Sequence, residues 1–255
     1  MRGFTAFTGK ELQESVRTYR LMILAAVFLI LAMMNSLSAK FLPELLGALM
    51  PEGMQIQVAE PTVMDAWTQF YKNIPQLGLI VFVVMMSSSL AGEFGRGTLV
   101  LLLTKGLRRR TVVLGKFTSA VTVWTLVYVF CAVISYGYAV YFWRSETVSH
   151  LLFALSCLWL FGVLLVAVLL LGGVVFKSMS GGILTVGTGV VLLFLLNLIP
   201  PLTRWNPLRL ATMSTALLGG QIGPGEFLPA VGVACGAGVL LLAGAILIFN
   251  KRQIV

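Results

Sequence analysis

With 255 residues, 58% hydrophobic side chains, 11% charged ones and a mean hydropathy of +0.97, the chain is far too apolar for a soluble domain, in which about a quarter of residues are charged. Its apolar runs are continuous rather than alternating and reach the roughly 20 residues a helix needs to cross a bilayer, which excludes a closed β-barrel. The net charge of +9 follows the distribution of basic residues between the two ends of the spans, so nucleic acid is not expected as a partner.

Thr8 followed by Glu11 predicts a helix start, and the apolar run beyond lacks a small-residue cleavage site, so no secretory leader is expected. Over 8–20, Leu12, Val16 and Tyr19 share one face with Ile23, while Lys10, Glu14 and Arg17 take others. That pattern predicts an interfacial helix, with Leu12, Glu14, Val16, Arg17, Tyr19 and Arg20 as its working residues. It leads directly into a first span, 21–37, closed by Lys40 and Pro43. Residues 38–73 read as an acidic outer loop with Glu44, Glu52, Glu60 and Asp65. The second span is expected over 70–90, where Pro75 either delays the helix or kinks it.

Further spans are expected at 117–142, 151–176, 182–199 and 227–249. The stretch 200–226, semi-apolar and opened by Pro200 and Pro201, is too short and too polar to cross and predicts a re-entrant or surface hairpin. The expected fold is therefore all-α, a single transmembrane domain over 1–255 with six spans.

Between the second and third spans, 93–116 is basic and broken by Gly95, Gly97 and Gly106, yet carries five consecutive apolar residues at 99–103. Thr98 is placed to cap a short helix, Gly106 to end it, and Arg108, Arg109 and Arg110 to anchor the next span. Anchoring accounts for the arginines; the apolar block asks for a protein groove or a lipid surface. Thirteen basic residues fall on the N-terminal side of the spans and five on the other, which predicts cytoplasmic termini and an inner face suited to anionic lipid.

Cys131, Cys157 and Cys235 fall within spans without metal-ligand spacing, and His150 is the only histidine, so neither a metal site nor a nucleophile–base pair is expected. No charged residue falls at mid-depth, which argues against an ion-coupled carrier. Asn35, Gln76, Ser87 and Asn197 are neutral polar groups in or near the spans, expected first to bond neighbouring helices and second to line a substrate path. Gly232 and Gly236 form a GxxxG, and Gly181, Thr185 and Gly189 place small residues four apart; both read as packing surfaces.

The chain resembles the permease subunits of bacterial ATP-binding-cassette transporters of the ABC type-2 exporter class. The resemblance rests on Glu93, Gly97-Thr98-Leu99, the leucines to Leu103, Arg108 and Arg109, Leu114-Gly115-Lys116, the six-span layout and Asn206-Pro207 before the last span. Val100 and Lys105-Gly106 depart from the family pattern. The resemblance implies no catalytic site and no cofactor in this chain, in agreement with the absence of a GxxxxGK[ST] run, with ATP and Mg bound by a separate ATPase subunit. It implies pairing with a second permease copy or a paralogue through the first and fifth spans, in a bacterial cytoplasmic membrane. Coupling to the ATPase would fall to Glu93, Arg96, Thr98, Leu99, Leu101, Leu102, Leu103, Lys105, Arg108, Arg109 and Arg110. The expected cargo is hydrophobic or amphipathic: a peptide, lipid or drug moved outward. The alternatives are a non-transporting immunity or sensor module that binds a peptide or lipid, and a secondary carrier.

Overall fold

The computed structural model describes residues 2–49, 60–95, 108–144 and 148–251, with the backbone alone at 2, 42–49 and 90–95. In chain order the helices are α1 (Arg2–Arg17), α2 (Arg20–Leu49), α3 (Val63–Asn73), a π-helical turn (Ile74–Gly78), α4 (Leu79–Gly95), α5 (Arg109–Phe142), α6 (Leu151–Phe176) and α7 (Met179–Asn197). There follow three short helices, α8 (Pro200–Thr203), α9 (Arg209–Thr212) and α10 (Ser214–Leu218), a 3₁₀ turn (Pro224–Phe227) and α11 (Leu228–Lys251). No strand occurs among the described residues. Among the described residues six segments are long and apolar enough to cross a membrane: Arg20–Phe41, Val63–Ser89, Arg109–Phe142, Leu151–Phe176, Met179–Asn197 and Pro224–Lys251.

The helix α6 is the axis of the bundle. Within its most apolar stretch 67% of residues are buried inside the chain, against 11% for α7 and α11. It packs on α4, α5, α7 and α11. Close approach to α5 depends on Gly162, because a Cβ there would lie 2.3 Å from the Trp124 ring. Trp124 in turn stacks on Tyr128 at 5.1 Å and meets Phe28 of α2 edge-on at 6.0 Å. Its indole N–H donates to the Trp159 carbonyl at 3.0 Å, so the ring is buried without an orphaned donor. Gly172 plays the same part against α7, where a Cβ would fall 2.5 Å from Thr185 Oγ1. The α6–α7 turn is short: Lys177 takes a left-handed conformation (φ 51°), and the Ser178 hydroxyl accepts from Gly181 N–H at 3.0 Å to cap α7.

Several element boundaries differ from the sequence expectation. The first helix begins at Arg2, so Thr8 lies inside it and is not its cap. It stops at Arg17, and Tyr19 with φ 58° separates it from α2, so the two are not continuous. Helix α2 runs past Lys40 and Pro43 to Leu49, so neither residue ends it. Within the expected loop 38–73, α3 starts at Val63: the Thr62 N–H donates to Asp65 Oδ2 at 2.8 Å, and Trp67, Phe70, Tyr71 and Ile74 form a buried stripe. Pro75, which has no N–H to give, sits in the π-helical turn, so the helix passes it without ending. Residues 109–116 of the expected hairpin are the first two turns of α5.

Candidate coupling platform and membrane cavity

At the end of the bundle nearest the N-terminus, three elements converge on one buried charge. Lys116, on the second turn of α5, is fully buried, and its ammonium donates to Glu11 Oε2 at 3.1 Å and to the Ser89 carbonyl of α4 at 2.9 Å. Glu11 projects from α1 with its side chain 1% exposed and also meets Lys10 at 3.2 Å. An ammonium in so apolar a site is stable only when paired and hydrogen-bonded, and these contacts meet that condition. One turn away Phe7 lies against Gly115, where a Cβ would come 2.5 Å from the ring. The ion pair and the ring contact together seat α1 on the start of the third span.

The face that α1 turns to the protein is therefore Phe7, Glu11 and Ser15, a side separate from the Leu12, Val16 and Tyr19 stripe expected to lie in the interface. Leu12 is half-buried, while Val16 and Tyr19 are 49% and 64% exposed and contribute to an outward apolar surface. Glu14 pairs with Lys10 at 3.0 Å in a partly exposed i,i+4 bridge, Arg17 is exposed, and Arg20 is half-buried. Hydropathy hid the protein-facing side because its central residue is a carboxylate. The available signal was Lys116 itself, a cation followed by an apolar span and in need of a counter-charge.

Arg109 crosses to the last span. Its guanidinium donates to the carbonyls of Phe249 and Asn250 at 2.9 and 3.0 Å, satisfying two of the carbonyls a helix C-terminus leaves unpaired. Arg108 and Arg110 flank it and are exposed. Arg96, Thr98, Leu99, Leu101, Leu102, Leu103 and Lys105 lie outside the described residues. Glu93 lies in the last turns of α4, and its side chain is likewise outside them.

The four neutral polar positions separate. Asn35 is fully buried and accepts from Asn73 Nδ2 at 2.7 Å, tying α2 to α3. Ser87 is buried and donates to the Val84 carbonyl of its own helix at 2.6 Å. Asn197 ends α7 and is half-buried. Gln76 alone of the four lines a cavity of about 640 Å³, walled by α3, the π-helical turn, α4 and α7, with Phe161 and Leu165 of α6 as its floor. The segment from α9 to α10 closes its far end through Leu208, Ala211, Thr212 and Thr215. Asn206 holds that segment in place: its amide donates to the Leu193 carbonyl at 2.7 Å and accepts from Leu208 N–H at 2.9 Å. Arg209 adds an ion pair to Glu226 at 2.7 Å.

Six apolar helices, one of them the buried axis of the bundle, a charged platform at one end and a cavity beside the spans define a polytopic helical membrane protein. The family of ABC-2 family transporter proteins matches residues 6–207, and the chain belongs to it. It is thus a membrane permease component of an ABC transporter, a family whose members work with an ABC ATPase. No curated relative matches the chain.

Proposed function

We propose that this permease forms the path of an exporter that moves a hydrophobic or amphipathic substrate outward across a bacterial cytoplasmic membrane, with both termini in the cytoplasm. The chain supplies no catalytic site and no cofactor of its own, and ATP with Mg is bound by the separate ATPase subunit. That subunit docks at the connection between α4 and α5, with Leu99, Leu101, Leu102 and Leu103 entering its groove and Arg108 at the rim. A second copy or a paralogue completes the path, for which α7 leaves most of its surface available, burying only Gly181, Gly182 and Val186 within the chain.

The observation that carries this reading is the node at Lys116. It binds the end of the second span, the start of the third and α1 into one unit at the base of the α4–α5 connection. A push on that connection is then delivered to two spans together rather than absorbed by a loose loop.

The test is reconstitution with the ATPase in vesicles. Leu101→Asp and Arg108→Glu should each insert normally yet lose ATPase capture and substrate-dependent turnover. Undiminished capture and turnover in both would overturn the docking site.

A further inference from the structure

We infer that the cavity between α3, α4 and α7 binds a single-chain amphiphile with an anionic head, the head at Lys72 and the chain lying between α4 and α7. This deepens the amphipathic-substrate reading above and rests on it.

The cavity is polarised along its length. Near α9 and α10 it is lined by Lys72, Gln76, Thr212 and Thr215; toward α1 its walls are Ile80, Val84, Val186 and Val190. Lys72 is exposed and makes no ion pair among the described residues, so an anion there meets an uncommitted ammonium. Tyr71 also lines the cavity, and its buried hydroxyl has no hydrogen-bond partner among the described residues. From Lys72 to Val84 the helix advances ~18 Å at about 1.5 Å per residue, close to the depth of one leaflet of a hydrocarbon core roughly 30 Å thick. The length fits one acyl chain, and the volume of about 640 Å³ is that of an ordinary small-ligand site.

Two backbone features keep the space open. The π-helical turn places Pro75 in the cavity wall, and such turns occur often at functional sites. On the opposite wall Gly187 faces open space, with nothing within 4 Å of a Cβ built there. A second cleft, between α5 and α6, is larger at about 980 Å³ and is also lined by the exposed Arg144 and Tyr136, but three of its polar groups are spent within the chain. Tyr128 donates to Leu155 O at 2.9 Å, Trp143 to Pro61 O at 2.6 Å and Trp159 to Thr125 Oγ1 at 3.0 Å.

The experiment uses the purified permease in nanodiscs without ATPase, photolabelled with a diazirine-bearing hexadecanoic acid and, separately, with the matching uncharged monoglyceride. Labels are mapped by mass spectrometry. The acid should mark α3, α4 and α7, and Gly187→Phe should cut labelling by both probes by about tenfold or more by filling the space. Lys72→Glu should weaken the acid alone. Val84→Trp fills the same space from the other wall and replaces Gly187→Phe if that variant misfolds. Labelling confined to the α5–α6 cleft, labelling indifferent to both filling variants, or a Lys72→Glu effect equal for the two probes would each overturn the inference. Because no ATPase is present, failure here leaves the permease's coupling untouched, whereas failure of ATPase capture would not alter the labelling.

Discussion

Glu11 and Lys116 stand 105 positions apart in the chain and meet at 3.1 Å, with side chains 1% and 0% exposed. The contact joins a helix outside the six spans to the start of the third. Breaking such a buried pair from one side strands the other charge, at a cost of about 3–5 kcal/mol, whereas replacing both members by apolar residues is often neutral. Glu11→Gln and Lys116→Met should therefore each lower the thermal unfolding temperature of the purified permease markedly. The double variant Glu11→Leu/Lys116→Met should recover most of the loss. Losses that simply add would show that the two are not coupled.

Gly115→Ala places a methyl group where the Phe7 ring now lies, 2.5 Å from Cδ1. Overpacking of this kind costs about 1–3 kcal/mol. The expected result is faster proteolysis of α1 with the six spans intact, relieved by Phe7→Ala in the same chain. Unaltered cleavage of α1 would mean that the ring yields without moving the helix.

The Arg109 bonds to Phe249 and Asn250 carbonyls hold the last turn of α11. Arg109→Ala should fray that turn, seen as faster amide hydrogen exchange there, at a cost of about 1 kcal/mol. Arg109→Lys should recover part of the protection, since a cation remains near the helix end but without the two-pronged geometry.

Asn206 uses both ends of its amide, as donor to Leu193 and as acceptor from Leu208. Asn206→Ala should cost about 1–3 kcal/mol, because a buried backbone N–H and a part-buried carbonyl each lose the bond to its amide. Asn206→Asp keeps the acceptor and loses the donor, so it should release α7 from the segment that closes the cavity while leaving the Leu208 turn formed. Cysteine cross-linking between α7 and α9 should drop in yield in both variants, whereas faster exchange of the Leu208 amide should appear in Asn206→Ala alone.

Part of this was legible along the chain. In a bilayer every backbone polar group must be satisfied within its own segment, so a span needs little more than a long apolar run, and hydropathy is a local property of the sequence. Six spans, the all-α class and the apolar block at 99–103 follow from that alone. The Asn206-Pro207 pair was visible too, but its role was not, since the Leu193 carbonyl it serves lies 13 positions away on another helix.

What composition could not settle was which polar groups meet. Glu11 reads locally as the partner of Thr8 in a cap, yet α1 begins six residues before Thr8 and the carboxylate is sent to Lys116. The stripe of Leu12, Val16 and Tyr19 reads as the interface-facing side of α1, and that amphipathic pattern carries no sign of the separate side that packs on α5, whose central residue is the carboxylate of Glu11. Pro75 likewise announces a disturbance and leaves its form to the packing, which here holds a π-helical turn between Phe28 at Gly78 and the cavity. The sequence by itself determined where the chain enters and leaves an apolar solvent, a matter of transfer free energy residue by residue. Only the tertiary structure decided which buried charge is neutralised by which and where the spans leave space, because both depend on distances between residues far apart along the chain.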